Sequence, residues 1–239
     1  MKVIDAHVHL GTFGYPFHVA ATIDGLIQMM DEFNVEKAFC SSLENQVTLD
    51  AMSTHPDRIV GLVWLNPYQG DKAVMDLRTA VREQGFRGLK LHPLIHSFLP
   101  NDRVVYPLIE EAASLGIAVY IHSGHPPFSL PWSIGELAEN FPHVTFVMYH
   151  MGHGHGVYIQ AAIDVARRLP NVLLETSGMP MHTKIKEAVD QVGEDRVLYG
   201  SDIPFHHPSV EMQRVRVAGL TEAQLRKVFY GNAARLLNL

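Results

Sequence analysis

Val3-Ile4-Asp5-Ala6-His7-Val8-His9-Leu10 reads as a β-strand that starts two residues into the chain. Ile4, Ala6, Val8 and Leu10 occupy one parity, and Asp5, His7 and His9 the other. Successive strand side chains point to opposite faces, so His7 and His9 project side by side, with Asp5 one step deeper. Two imidazoles held this way by the backbone are half of a metal site. The motif is short: among 15 histidines in 239 residues about one chance His-x-His is expected, and it recurs at His153-Gly154-His155. Its apolar strand setting distinguishes the first copy.

Outward from this strand the chain alternates. Further strands are expected at 37–43, 58–65, 86–92, 117–122, 144–150, 172–177 and 197–202, with helices at 22–33, 47–55, 71–84, 101–115, 133–140, 157–169, 184–192, 210–218 and 222–237. Thr22 is placed to cap the first helix, and Thr221 to start the last as a capping box with Gln224. Residues 11–18, rich in turn formers and aromatics, read as a loop. Eight apolar strands separated by helices predict an α/β fold, a (β/α)8 TIM barrel, for which ~250 residues is typical. With no break in composition, residues 1–239 are expected to form a single domain. Links from strand to helix are long, at 11–21, 93–103, 124–132 and 203–209, and in a barrel these lie on the carboxyl-end face that carries active sites.

Composition narrows the function classes. The chain is 47% hydrophobic, carries a formal charge of −6 and has a pI near 6.2. It lacks the basic footprint of a nucleic-acid binder, and no apolar run reaches the ~20 residues of a membrane span. Cys40 is the only cysteine, which excludes a disulfide framework and Cys-rich zinc modules; it is expected to be a small buried apolar residue. The amino terminus enters a strand directly, so a cytoplasmic protein acting on a small-molecule substrate is expected, with oligomeric state left open.

On the barrel frame, His7 and His9 end the first strand, Lys90 and His92 the fourth, His122 the fifth, His150 the sixth and Asp202 the eighth. Burying so many ionisable groups without partners costs several kcal/mol, of order 2–7 each, so a shared metal or polar pocket is the cheaper explanation. Several imidazoles with one carboxylate suit Zn2+, with Mn2+, Fe2+ or Co2+ as alternatives. An ion with an open position lowers the pKa of bound water to ~7, and Asp202 is placed to ligate and to accept that proton.

The motifs Ile4-Asp5-Ala6-His7-Val8-His9, His55-Pro56-Asp57-Arg58-Ile59-Val60-Gly61, Gly88-Leu89-Lys90-Leu91-His92-Pro93, Ile121-His122-Ser123-Gly124, His150-Met151-Gly152, Tyr199-Gly200-Ser201-Asp202-Ile203-Pro204 and Tyr230-Gly231-Asn232-Ala233-Ala234-Arg235-Leu236 occur in order along nearly the whole chain. In these the chain resembles the amidohydrolase superfamily, specifically the amidohydrolase-2 branch with its aminocarboxymuconate semialdehyde decarboxylase-like enzymes, lactonases and other hydrolases. The resemblance implies His7, His9, His122 and Asp202 as ligands of one divalent ion, with His150 as acid/base or a further ligand. Lys90 stands on the strand that supplies a bridging carbamylated lysine in two-metal relatives; a second metal is not expected here, and Lys90 is read as a substrate-carboxylate partner or a core charge paired with Asp5.

His92 at the pocket rim, His125 on a Pro-stiffened loop with Trp132, and His206 beyond Asp202 are candidate substrate contacts. His153 and His155 are expected in solvent. Glu175 shares a face with Ser177, but Val172-Leu174-Thr176 is an equally good inward parity. The leading expectation is a metal-dependent hydrolase of an amide, lactone or ester in which Asp202 takes the proton and His150 assists the oxyanion or leaving group. Decarboxylation of a small unsaturated or aromatic acid at the same site is the alternative, and a ligand-binding barrel without turnover is the reading from another class.

Overall fold

Each long strand is followed by a helix, so neighbouring strands run parallel. The computed structural model describes Met1–Leu239. Its first stretch runs β1 (Val3–His9), β2 (Gly11–Phe13), β3 (Val19–Ala21), α1 (Ile23–Glu32), β4 (Val35–Ser41), α2 (Asn45–Thr54) and β5 (Ile59–Trp64). Then follow α3 (Asp71–Arg82), β6 (Gly88–Leu91), α4 (Pro93–His96), α5 (Tyr106–Leu115), β7 (Ala118–His122), α6 (Pro131–Asn140), β8 (Phe146–Tyr149), α7 (Gly156–Arg168) and β9 (Val172–Glu175). The chain closes with α8 (His182–Val192), β10 (Val197–Leu198), α9 (Pro208–Arg216), α10 (Glu222–Arg226) and α11 (Asn232–Leu236).

Eight strands form one sheet in the order β1-β4-β5-β6-β7-β8-β9-β10. The last returns beside the first: Ala6 N–H donates to Tyr199 O (2.9 Å), Asp202 N–H to His7 O (2.7 Å) and His9 N–H to Ile203 O (2.6 Å), and Val8 and Ile203 form a parallel bridge. This is the (β/α)8 barrel expected from the sequence.

Two compact units make up the chain, Met1–Leu62 with Glu175–Leu239, and Val63–Leu174. In the first, Ile4, Val8, Phe39, Val197 and Phe229 are buried, and Cys40 with them; burial pushes the Cys40 thiol up to about 12. Thr22 accepts from Gly25 N–H at the start of α1, and Thr221 and Gln224 form the capping box of α10. In the second, Leu89, Ile109, Ile121, Phe146 and Leu174 are buried, and α5 opens with Pro107 in its first turn. That proline is why the helix begins at Tyr106, after a 3-10 turn, and not at 101: its ring is tolerated only where no intrahelical N–H is needed.

Three other expectations change. Residues 11–21 are not a plain loop but an antiparallel hairpin of β2 and β3, anchored by Phe13, whose ring packs edge-on against His9 and Phe205. The final helical stretch is interrupted by a π-helical turn at Lys227–Gly231, where the buried Asn232 side chain donates to Glu194 O and Val197 O, both at 2.8 Å. The eighth barrel strand has regular pairing over Val197–Leu198 only, because beyond it the backbone turns through Asp202 at φ 59°.

Candidate metal centre

In the first unit, β1 and the turn after β10 bring three ligand atoms together. His7 Nε2 lies 3.0 Å from His9 Nε2, and Asp202 Oδ1 lies 3.4 Å from His7 Nε2 and 3.3 Å from His9 Nε2. All three residues are buried. Ligands about 2.0–2.1 Å from a tetrahedral ion are separated by about 3.4 Å, close to the spacing of this triangle.

The rings are oriented from behind. His7 Nδ1 meets Glu175 Oε2 at 3.1 Å and Ser177 Oγ at 3.2 Å, and His9 Nδ1 donates to Ser41 O at 2.8 Å. With Nδ1 committed to a carboxylate and to a carbonyl, each ring turns its Nε2 toward Asp202 Oδ1. Three electron-rich atoms at such separations repel one another, and a cation at their centre resolves the conflict. A carboxylate behind a histidine also fixes its tautomer and raises its basicity. The donor set therefore fits a divalent ion.

Glu175 is 0% exposed. It accepts from Ser177 Oγ at 2.8 Å and from Ser177 N–H, so β9 takes the parity that turns Glu175 inward. A Cβ on Gly200 would overlap the Glu175 carboxylate and come within 2.8 Å of His7 Cβ, so only glycine lets this backing group in. Asp5 lies below, accepting from His7 N–H (3.1 Å) and Ser201 N–H (2.9 Å); burial pushes its carboxyl up to about 7. Asp202 holds a left-handed backbone, a costly conformation that concentrates at functional sites. His206 sits 3.2 Å by Nδ1 from Glu211 Oε1. That buried carboxylate also accepts from Gly178 N–H and holds the His206 imidazole above its usual pKa.

The second unit carries a histidine group of its own. Trp64, His92 and His122 stack nearly parallel, with centroids 5.4 Å apart (Trp64 to His92) and 3.9 Å apart (His92 to His122). His122 Nε2 meets His125 Nδ1 at 2.9 Å, His150 lies edge-on to His122 at 4.7 Å, and His153 stacks on His150 at 4.3 Å. Burial, reinforced by His92, His150, Lys90 and His125, holds His122 well below the ordinary imidazole range, which leaves it neutral and able to ligate. Lys90 is fully buried, its Nζ 4.0 Å from the Tyr149 ring centroid and 5.6 Å from that of Trp64. Cation–π contact of this desolvated kind is worth about 2 kcal/mol, and an ammonium so placed attracts an anion.

His7, His9 and Asp202 thus converge within one unit, and His92, His122, His125 and His150 within the other. His153, expected in solvent, is half-buried among the imidazoles, while His155 is exposed and caps α7 by accepting from Val157 N–H. His92 likewise accepts from Ile95 N–H at the start of α4. The backing roles of Glu175 and Ser41 were not assigned from sequence; strand parity offered a signal for the first and none for the second.

The family model described as amidohydrolase matches residues 4–239. A gamma-resorcylate decarboxylase of a Polaromonas species is 23% identical over 248 residues, covering 82% of this chain and 75% of that protein. The crystal structure of a Rhizobium 2,6-dihydroxybenzoate decarboxylase superposes with a TM-score of 0.79 at 17% identity, over 99% of this chain and 98% of that one. A Polaromonas dihydroxybenzoic acid decarboxylase with bound manganese and the inhibitor 2-nitroresorcinol gives 0.77 at 17% identity, over 100% and 97%. The fold is therefore the TIM barrel seen in those decarboxylases.

Proposed function

Because the chain belongs to the amidohydrolase family, an enzyme family whose model spans residues 4–239, we propose that it is a divalent-metal-dependent decarboxylase of a small aromatic or unsaturated carboxylic acid. The triangle of His7 Nε2, His9 Nε2 and Asp202 Oδ1, with Glu175 and Ser41 behind it, carries the metal dependence. The choice of reaction rests on the relatives, which are decarboxylases of dihydroxybenzoates and favour carbon–carbon cleavage over the hydrolysis expected first.

In this reading His7, His9 and Asp202, with His122 as the family resemblance implies, hold the ion, with manganese and zinc as candidates. When bound, the ion supplies positive charge that orients the substrate's oxygen donors and draws electron density from the reacting carbon. Lys90 pairs with the substrate carboxylate before it leaves, and His92 and His206 are substrate contacts. The bond between ring carbon and carboxylate breaks, its electron pair stays on the carbon, CO2 departs, and His150 delivers the proton that replaces it. Glu175 keeps the His7 proton on Nδ1 throughout.

The test is a panel of hydroxybenzoates and muconate-type acids, together with lactones, amides and esters, read by CO2 release against acid production. We expect CO2 release stoichiometric with acid consumed, abolished by chelation and restored by Mn2+ or Zn2+, and reduced at least a hundredfold in Asp202→Asn with the fold retained. Acid production from a lactone, amide or ester without CO2 release would reject the decarboxylase reading, and full turnover after chelation would reject the metal.

A further inference from the structure

One cluster of imidazoles lies outside the ligand triangle and its backing groups. The end of β7 and the loops after β7 and β8 place one nitrogen each of His122, His125 and His153 within 4.8 Å of one another. His122 is buried and the other two half-buried, so the group has both a desolvated floor and an opening. We propose that these three imidazoles form a second binding position for a divalent transition-metal ion, of the type that imidazole selects: zinc, cobalt, nickel or copper, not magnesium or calcium.

The two loops are built to hold these rings together. Ser123, fully buried on the first loop, donates from Oγ to Tyr149 O (2.6 Å) and accepts from Gly152 N–H (2.9 Å) on the second. The backbones touch: a Cβ on Gly124 would lie 2.7 Å from both Gly152 C and His153 N, and one on Gly154 would overlap the Gly124 carbonyl. Gly124 also has φ 101°, a conformation that favours glycine. Ser129 then fixes His125 locally, accepting from its N–H (3.1 Å) and donating to its carbonyl (2.7 Å).

On the second loop His150 and Met151 both have positive φ (64° and 36°) though neither is glycine. Each such residue costs of order 1–3 kcal/mol, and the strained pair is what turns the chain back so that His153 stacks on His150. His122 Nε2 and His125 Nδ1 are 2.9 Å apart, against about 3.4 Å between two ligands of a tetrahedral ion. A His153 nitrogen lies within 4.8 Å of both. Three imidazoles with the fourth position open is a donor set that binds zinc.

This position shares His122 with the ion proposed above; when His122 turns to the second ion, His7, His9 and Asp202 still hold the first. The two are separated in a His7→Ala/Asp202→Asn background, which removes the first position and releases His122. Equilibrium dialysis with Co2+ should then leave one equivalent bound, with visible absorption typical of low-coordinate all-nitrogen ligation. His125→Ala or His153→Ala added to it should weaken binding at least tenfold, and both together should abolish it. No retained cobalt, or cobalt retained equally tightly after both substitutions, would overturn the proposal.

Circular dichroism checks that each variant folds. Should the background variant not fold, the wild-type chain titrated past one equivalent of Co2+ serves instead: a second, weaker equivalent lost in His125→Ala/His153→Ala supports the site, and a single equivalent unaffected by those changes refutes it. None of these readouts depends on turnover, so failure of the decarboxylase assignment would leave the result interpretable.

Discussion

Replacing Glu175 by glutamine tests the metal centre without touching a ligand. The side chain keeps its shape, so the close packing against Gly200 is preserved. One oxygen can still accept from Ser177 N–H, but the other becomes an NH2 facing His7 Nδ1, where a carboxylate oxygen stood at 3.1 Å. Two donors then face one another. The imidazole relieves this by moving its proton to Nε2, the nitrogen that faces His9 Nε2 at 3.0 Å and Asp202 Oδ1 at 3.4 Å, and there it blocks ligation. Loss of such an outer partner lowers metal affinity about 10–100-fold, or about 1.4–2.8 kcal/mol at 1.4 kcal/mol per decade. A thermal melt of the metal-free variant beside the metal-free wild type separates weaker binding from loss of the fold. Competition of Zn2+ against a chromophoric chelator gives the affinity, and nitrogen NMR of the His7 ring gives the tautomer. Affinity within threefold of wild type, with His7 still protonated at Nδ1, would refute the role assigned to Glu175.

Gly154→Ala should destabilise the fold by about 1–3 kcal/mol, because its Cβ overlaps the Gly124 carbonyl and the backbone must move. Gly156→Ala, whose Cβ meets nothing within 4 Å, should be near neutral, and thermal melts of the pair decide the matter. Arg78 bonds Glu111 through Nε (2.9 Å) and Nη2 (2.7 Å) between α3 and α5, and holds that carboxyl below its ordinary pKa. A lowered carboxyl pKa stabilises the fold above the unfolded value and ceases to do so as pH falls through the folded one. Since Arg78 is half-exposed and solvent screens the pair, Arg78→Ala should lower the urea midpoint slightly at pH 7, and the difference from wild type should vanish in acid. The Cys40 thiol, buried and pushed up to about 12, should react with a disulfide reagent only at the rate of unfolding; immediate modification of the native protein would contradict its packing.

Much of this was legible along the chain. Apolar runs bounded by glycine and proline marked the barrel strands, because strand periodicity and turn chemistry are local properties. The caps at Thr22 and Thr221 were readable for the same reason, since each bond spans three residues. His7 and His9 could be paired on one face because two residues of strand geometry fix their relation.

Tertiary structure decided the rest. Whether Glu175 or Thr176 faced inward depended on what lay across from β9, and the answer came from His7, 168 residues away. The hairpin at 11–21 depended on Phe13 finding His9 and Phe205, and the helix break near Asn232 on its bonds to Glu194 and Val197. His153 looked like a surface residue in a glycine-rich turn, yet a backbone contact between Gly124 and Gly154 sets it beside His125. The sequence determined which side chains stand at strand ends, since alternation and turn preferences act over a few residues. Only the fold could decide which of them meet, because each such contact forms between segments whose order along the chain carries no record of their distance.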